Sequence, residues 1–221
     1  MPTARLPLLD AARGLAVVAM VTYHFFWDLS VFGFIETDVG QAWRGAAMAI
    51  AASFLAISGA AFTRAGRLKP RRLVIITGAA ALVSLGSWWF DPGSFIFFGI
   101  LHCIALSCLL ALPFLRAPGW LLVLAAATVL VAGTWAHPVF DAWPWLWLGL
   151  STQLPLTNDY IPIIPWFGFV LLGMWAGRWQ AWPAWGPPPL VWLGRWSLPI
   201  YLVHQPVLMG LLSLAMPGKP G

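Results

Sequence analysis

Charge is what this chain has little of. Asp, Glu, Lys and Arg make up 9% of its 221 residues and the acids number only seven, against roughly a quarter charged in a soluble domain. An ordinary water-facing globular surface is therefore excluded. Cysteine is scarcer still. Cys103 and Cys108 are the only two, and they stand five apart on one predicted helix, which points them to different faces and makes a disulfide between them poor. They say nothing about redox compartment. No internal repeat is visible, and no metal is expected. The net charge is +5, yet no basic stretch sits on a soluble module, so a nucleic-acid partner is not expected.

What is abundant is apolar. Hydrophobic residues reach 61%, with 16 Trp. They gather into seven runs, approximately 14–34, 44–63, 73–90, 95–113, 118–135, 161–180 and 197–215, each near the length a helix needs to cross a hydrocarbon core. The reading is an all-α integral membrane protein, one polytopic domain over residues 1–221 folded as a bundle of about seven transmembrane helices. Between residues 136 and 160, Trp143, Trp145 and Trp147 with Pro144 look interfacial or re-entrant, as Trp belts favour the membrane boundary. The first run is longer than the usual signal core of about 7–15 residues, so it is expected to stay in the mature chain.

Charge placement predicts orientation. Ten of the twelve basic residues, from Arg5 and Arg13 through Arg64, Arg67, Lys69, Arg71 and Arg72 to Arg116, Arg178 and Arg195, fall in alternate loops. The other loops carry Glu36, Asp38, Asp91, Asp141 and Asp159. The positive-inside rule then puts the N-terminus in the cytoplasm and, after an odd number of spans, the C-terminus with Lys219 outside, in the cell (inner) membrane.

Against this background His24, Asp28, His102 and His204 stand inside apolar runs, where an ionisable group usually marks a working site. At about 100° per residue, Arg13 and His24 fall about 20° apart on the first helix, with Asp10 and Asp28 about 60° from Arg13. These four make one polar stripe, which must face a bundle interior or a water-filled cavity. Asp10 is the expected N-cap, and Arg13 is either its snorkelling partner or an anion site. The basic residues from Arg64 to Arg72 either set topology and meet lipid headgroups or help bind phosphates. His24 and Asp28, one turn apart, can meet, and a carboxylate beside an imidazole favours proton acceptance.

His24, His102 and His204 lie roughly 14–16 Å from the cytoplasmic side at ~1.5 Å per residue, hence at one level. The last helix adds a second stripe of Ser197, Tyr201, His204 and Gln205, with Ser197 as expected N-cap and a bend expected at Pro206. Asp159 sits at the outer mouth of the sixth run, either as a topology-setting acid or as a contact for external substrate. Gly173 and Gly177 read as a close-packing small-xxx-small pair.

The segments Leu9-Asp10-Ala11-Ala12-Arg13-Gly14, Tyr23-His24 with Asp28, Gly99-Ile100-Leu101-His102, Pro165-Trp166-Phe167-Gly168 and Leu193-Gly194-Arg195-Trp196-Ser197-Leu198-Pro199-Ile200-Tyr201-Leu202-Val203-His204-Gln205-Pro206 together resemble one family. It is the small bacterial branch of the heparan-alpha-glucosaminide N-acetyltransferase-like membrane proteins. More distantly, the two end motifs look like the integral-membrane acyltransferases that decorate surface glycans. The resemblance implies that acyl-CoA, most simply acetyl-CoA, is a cytoplasmic co-substrate with no tightly bound cofactor. It also implies an amine or hydroxyl acceptor, on a sugar or glycan, at the other side. The family's usual catalytic candidate is a His of the first span, here His24. Fuller relatives are longer, which leaves either a reduced donor pocket or one completed in a homo-oligomer.

The expected roles follow. His24, oriented by Asp28, is general base or transient acyl carrier, and both routes stay open. Arg13 binds donor phosphates, while His102, Ser197, Tyr201, His204 and Gln205 line the cavity and Asp159 receives the acceptor. A small transporter or proton-coupled flippase relaying protons through the same His and Asp residues is the alternative, and haem ligation by two of the histidines is a third reading.

Overall fold

The computed structural model describes residues 6–36, 41–179 and 183–215. Their helices are α1 (Pro7–Val31), α2 (Gln41–Ala65), α3 (Pro70–Phe90), α4 (Ile100–Leu110), α5 (Gly119–Ala132), α6 (Ile163–Ala176), α7 (Pro188–Arg195) and α8 (Ser197–Ala215), with short 3-10 turns between. Among the described residues there is no β-strand, only an isolated bridge between Phe98 and Tyr160. Arg5, Asp38 and Lys219, used above for orientation, lie outside the described residues.

α1, α2, α3 and α8 are long and apolar enough to cross a membrane. The other three expected spans are shorter. α4 has 11 residues and α5 and α6 have 14 each, or about 16 and 21 Å at ~1.5 Å per residue against a core of about 30 Å. Their ends are set by chain chemistry. Pro113 stands in the 3-10 turn that follows α4, Pro118 is the N-cap of α5, and Pro162 is the N-cap of α6. The non-helical run before α4 is not left unbonded. The Ile96 and Asn158 amides donate to Ser87 Oγ and the Ser94 carbonyl, and the Ile161 amide donates to the Phe98 carbonyl. Irregular backbone is tolerated at depth only when paired in this way.

The first helix begins earlier than expected. Leu6, not Asp10, is its N-cap, and Pro7 occupies the first turn. Proline suits that position because its missing N–H has no helical partner there. Asp10 is left within the first turn, where the helix dipole still favours an acid.

The chain divides into two compact units, a middle one within Ala51–Ala181 and a terminal one from Ala4–Ile50 and Trp182–Gly221. In the middle unit α6 is packed from two sides. Gly173 and Gly177 lie on the backbone of Ala56 and Ala60 in α2, Gly59 on that of Val170, and Gly168 against Leu130 and Ala126 of α5. The small-xxx-small pair thus does what its spacing promised. Leu55, Leu122, Leu171 and Met174 fill this core.

The terminal unit is built by α1 against α7 and α8. Gly14 lies on the Leu190 carbonyl and Gly194 on the Asp10 carbonyl, so a Cβ at either would strike backbone. This close crossing holds the start of α8 beside α1. α8 itself continues through Pro206 to Ala215.

Candidate active site

The expected stripes meet in the terminal unit. On α1, His24 points Nδ1 at the Met20 carbonyl, 2.9 Å away in its own helix. A carbonyl only accepts, so Nδ1 carries the proton and Nε2 the lone pair. On α8, His204 does the same with the Tyr201 carbonyl at 2.7 Å. The two rings lie with centroids 4.8 Å apart and planes at 67°. That is too close for a porphyrin to lie between them, which removes this pair as haem ligands.

Asp28 is 3% exposed, and its Oδ1 accepts from Gln205 Nε2 at 2.8 Å. It makes no hydrogen bond to His24. The expected orienting contact is therefore replaced: the Met20 carbonyl sets the His24 tautomer, and Asp28 acts on it only through space. Asp28 Oδ2, Gln205 Oε1 and His204 Nε2 are buried without a hydrogen-bond partner. Every one of these atoms is an acceptor. With His24 Nε2 they form a set that offers lone pairs and no hydrogens. Aromatic rings border it, with Tyr23 edge-on to His24 at 5.4 Å and Tyr201 5.8 Å from His204. Among the described residues no three potential ligands converge closely enough to hold a metal ion.

At the other end of the α1 stripe, Arg13 Nη1 bonds Asp10 Oδ1 at 2.9 Å, and Arg195 Nε lies 3.8 Å from Asp10 Oδ2. Two cations thus approach one carboxylate. Arg195 is half exposed and was not among the expected ligands; the signal was its place beside Gly194 in the closing motif. Ser197 opens α8.

His102 and Asp159 belong to the middle unit and are engaged there. His102 Nδ1 accepts from the Gly99 amide at 3.2 Å. Its Nε2 therefore bears the proton and donates to Ser84 Oγ at 3.1 Å, which donates in turn to the Ile96 carbonyl at 2.6 Å. Asp159 Oδ2 accepts from the Ile100 amide at 3.0 Å, an acid on the N-terminus of α4. Both side chains fasten the irregular run before α4. In the loop between α5 and α6, Asp141 accepts from Thr152 and Ser151, and these hydrogen bonds hold its carboxyl below the usual range. Cys103 and Cys108 are free thiols.

A family model described as heparan-alpha-glucosaminide N-acetyltransferase, catalytic, matches residues 5–206, a stretch that runs from before α1 to just past Gln205. No curated protein and no solved structure matches the chain.

Proposed function

The chain belongs to the heparan-alpha-glucosaminide N-acetyltransferase catalytic family, and from that premise we propose that it is an integral-membrane acyltransferase. Its donor is acyl-CoA from the cytoplasm, most simply acetyl-CoA. Its acceptor is an amine or hydroxyl, on a sugar or glycan, at the extracytoplasmic side of the inner membrane. The observation that carries this reading is the set of four lone pairs on His24, His204, Asp28 and Gln205. Three of them are buried and unbonded, a costly arrangement unless a partner rich in N–H or O–H groups arrives. An amine or a sugar hydroxyl is such a partner.

In this reading His24 Nε2 takes the proton as the acceptor nitrogen or oxygen attacks the thioester carbonyl carbon. The C–S bond breaks as the new C–N or C–O bond forms, and the sulfur leaves as the CoA thiolate, which recovers the proton from the imidazolium. Asp28 stabilises that imidazolium through space. His204 and Gln205 accept from the acceptor's other hydrogens, while Ser197 and Tyr201 donate to the carbonyl oxygen. Arg13 and Arg195 bind the donor phosphates. The bonds that His102 and Asp159 make favour a part in ordering the approach to α4 over substrate contact.

Thermal stabilisation of the purified protein by acetyl-CoA tests the donor. At ~100 times its dissociation constant a ligand adds about 2.7 kcal/mol. Saturable stabilisation that is lost in Arg13→Ala or Arg195→Ala is expected. No response to any acyl-CoA in a folded sample, with solute flux across vesicles instead, would replace this reading by transport.

A further inference from the structure

The turn joining α2 to α3 carries Arg64, Arg67, Lys69, Arg71 and Arg72. Among the described residues no ion pair joins any of these five cations to an acid. α3 begins here with Lys69 as N-cap and no side-chain cap, which adds the positive end of a 21-residue helix to the same place. Three of the five converge. Arg67, Lys69 and Arg72 line one cleft whose remaining walls include Phe62, Leu73 and Cys108.

Topology-setting cations need only lie on the correct side of a membrane and have no use for a shared apolar lining. A phosphate from solution has none either. Beyond the cleft, α3 presents Val74, Ile75, Leu82, Leu85 and Trp89 outward, each about half exposed or more. These positions repeat at helical spacing and make an apolar track leading away from the cations.

We propose that this cleft is a specific site for an anionic phospholipid, with its phosphate held by Arg67, Lys69 and Arg72 and its acyl chains lying along the exposed face of α3. The charge selects the headgroup. The apolar lining of Phe62 and Leu73 selects a molecule that is apolar next to its phosphate. This site shares no residue with the His24 cluster and does not depend on the chain being an acyltransferase.

Cys108 reports occupancy, because it lines the cleft while Cys103 is buried. The experiment follows alkylation of Cys108 by N-ethylmaleimide in the purified full-length protein in neutral detergent. Phosphatidylglycerol, phosphatidylcholine, inorganic phosphate or desulfo-coenzyme A, which has no thiol to consume the maleimide, is titrated in turn, and the modified peptide is identified by mass. Phosphatidylglycerol is expected to slow the reaction several-fold and saturably, the other three to leave it unchanged. Equal protection by phosphate or desulfo-coenzyme A would make this a free-phosphate site and overturn the lipid; no protection by phosphatidylglycerol would overturn the site.

Removing three headgroup cations weakens an anionic lipid contact on the order of a hundredfold at ~1 kcal/mol each. The triple variant Arg67→Gln/Lys69→Gln/Arg72→Gln should show that loss. Arg64→Gln/Arg71→Gln, which removes charge outside the cleft lining, should show much less loss per charge. Equal loss per charge in both would mean diffuse attraction and would overturn the proposal. Should the triple variant not fold, the wild-type alkylation result decides alone.

Discussion

His24 and His204 gain their chemistry from a local feature of helices. Each turns Nδ1 back to a carbonyl one turn earlier in its own helix, which fixes the tautomer and leaves the lone pair on Nε2. His24→Ala is therefore expected to lower acyl transfer by about 10²–10⁴-fold, the range for a lost general base. Its melting temperature in detergent should stay near wild type, since the ring is only half buried; full activity would move the base elsewhere. Gln205 has a different part. It supplies the one hydrogen bond seen on the buried Asp28 carboxylate, so Gln205→Leu should cost about 1–3 kcal/mol of stability by leaving that group unsatisfied. Thermal unfolding in detergent checks this, and an unchanged midpoint would show Asp28 to be protonated or rebonded. Helical spacing put His24, Asp28, Tyr201, His204 and Gln205 on two stripes. It did not disclose that Asp28 binds Gln205 across 177 positions of sequence, because periodicity gives a face and never its partner.

At the scale of elements, the crossing of α1 and α7 decides where the site can form. Gly14 and Gly194 each meet a carbonyl of the opposite helix, and the approach brings Arg195 to Asp10 and the start of α8 beside α1. Gly194→Val would push the helices apart, at a typical overpacking cost of about 1–3 kcal/mol. Because α8 is carried on α7, the same variant should also weaken acetyl-CoA stabilisation, which a merely local defect would not do. Much of this level was legible: α2, α3 and α8 lie within a few residues of their apolar runs. The start of α1 was not, since Asp10 looked like a cap and the proline that sets the boundary stands three residues earlier. α7 was also missed. Its eight residues, opening with Pro188 and Pro189, read as a loop, and its helicity comes from packing on α1 more than from its own propensity.

For the whole molecule, composition and the apolar runs pointed to an all-helical membrane protein, and among the described residues four helices meet the length and hydropathy of a span. The count of seven rested on three further runs whose helices stop at 11–14 residues. Apolarity cannot distinguish a spanning helix from a shorter one completed by bonded irregular chain. That irregular chain makes the stability of the fold pH-dependent. Asp141 holds Ser151 and Thr152 together, and Asp91 holds Gly93 and Ser94; hydrogen bonds keep both carboxyls below their ordinary value of 3.8. The folded state therefore binds fewer protons than the unfolded state between the depressed and ordinary values. Their contribution is fully present above the ordinary value and is lost as pH falls through the depressed one. Melting temperature measured from pH 7 downward should stay level until about the carboxylate range and then fall. Asp141→Asn should lower the plateau slightly and reduce the acid-side drop, because the amide keeps the shape and cannot titrate. If the variant and the wild type fall in parallel, other carboxylates govern acid unfolding and the Asp141 loop does not couple to the helices that it joins.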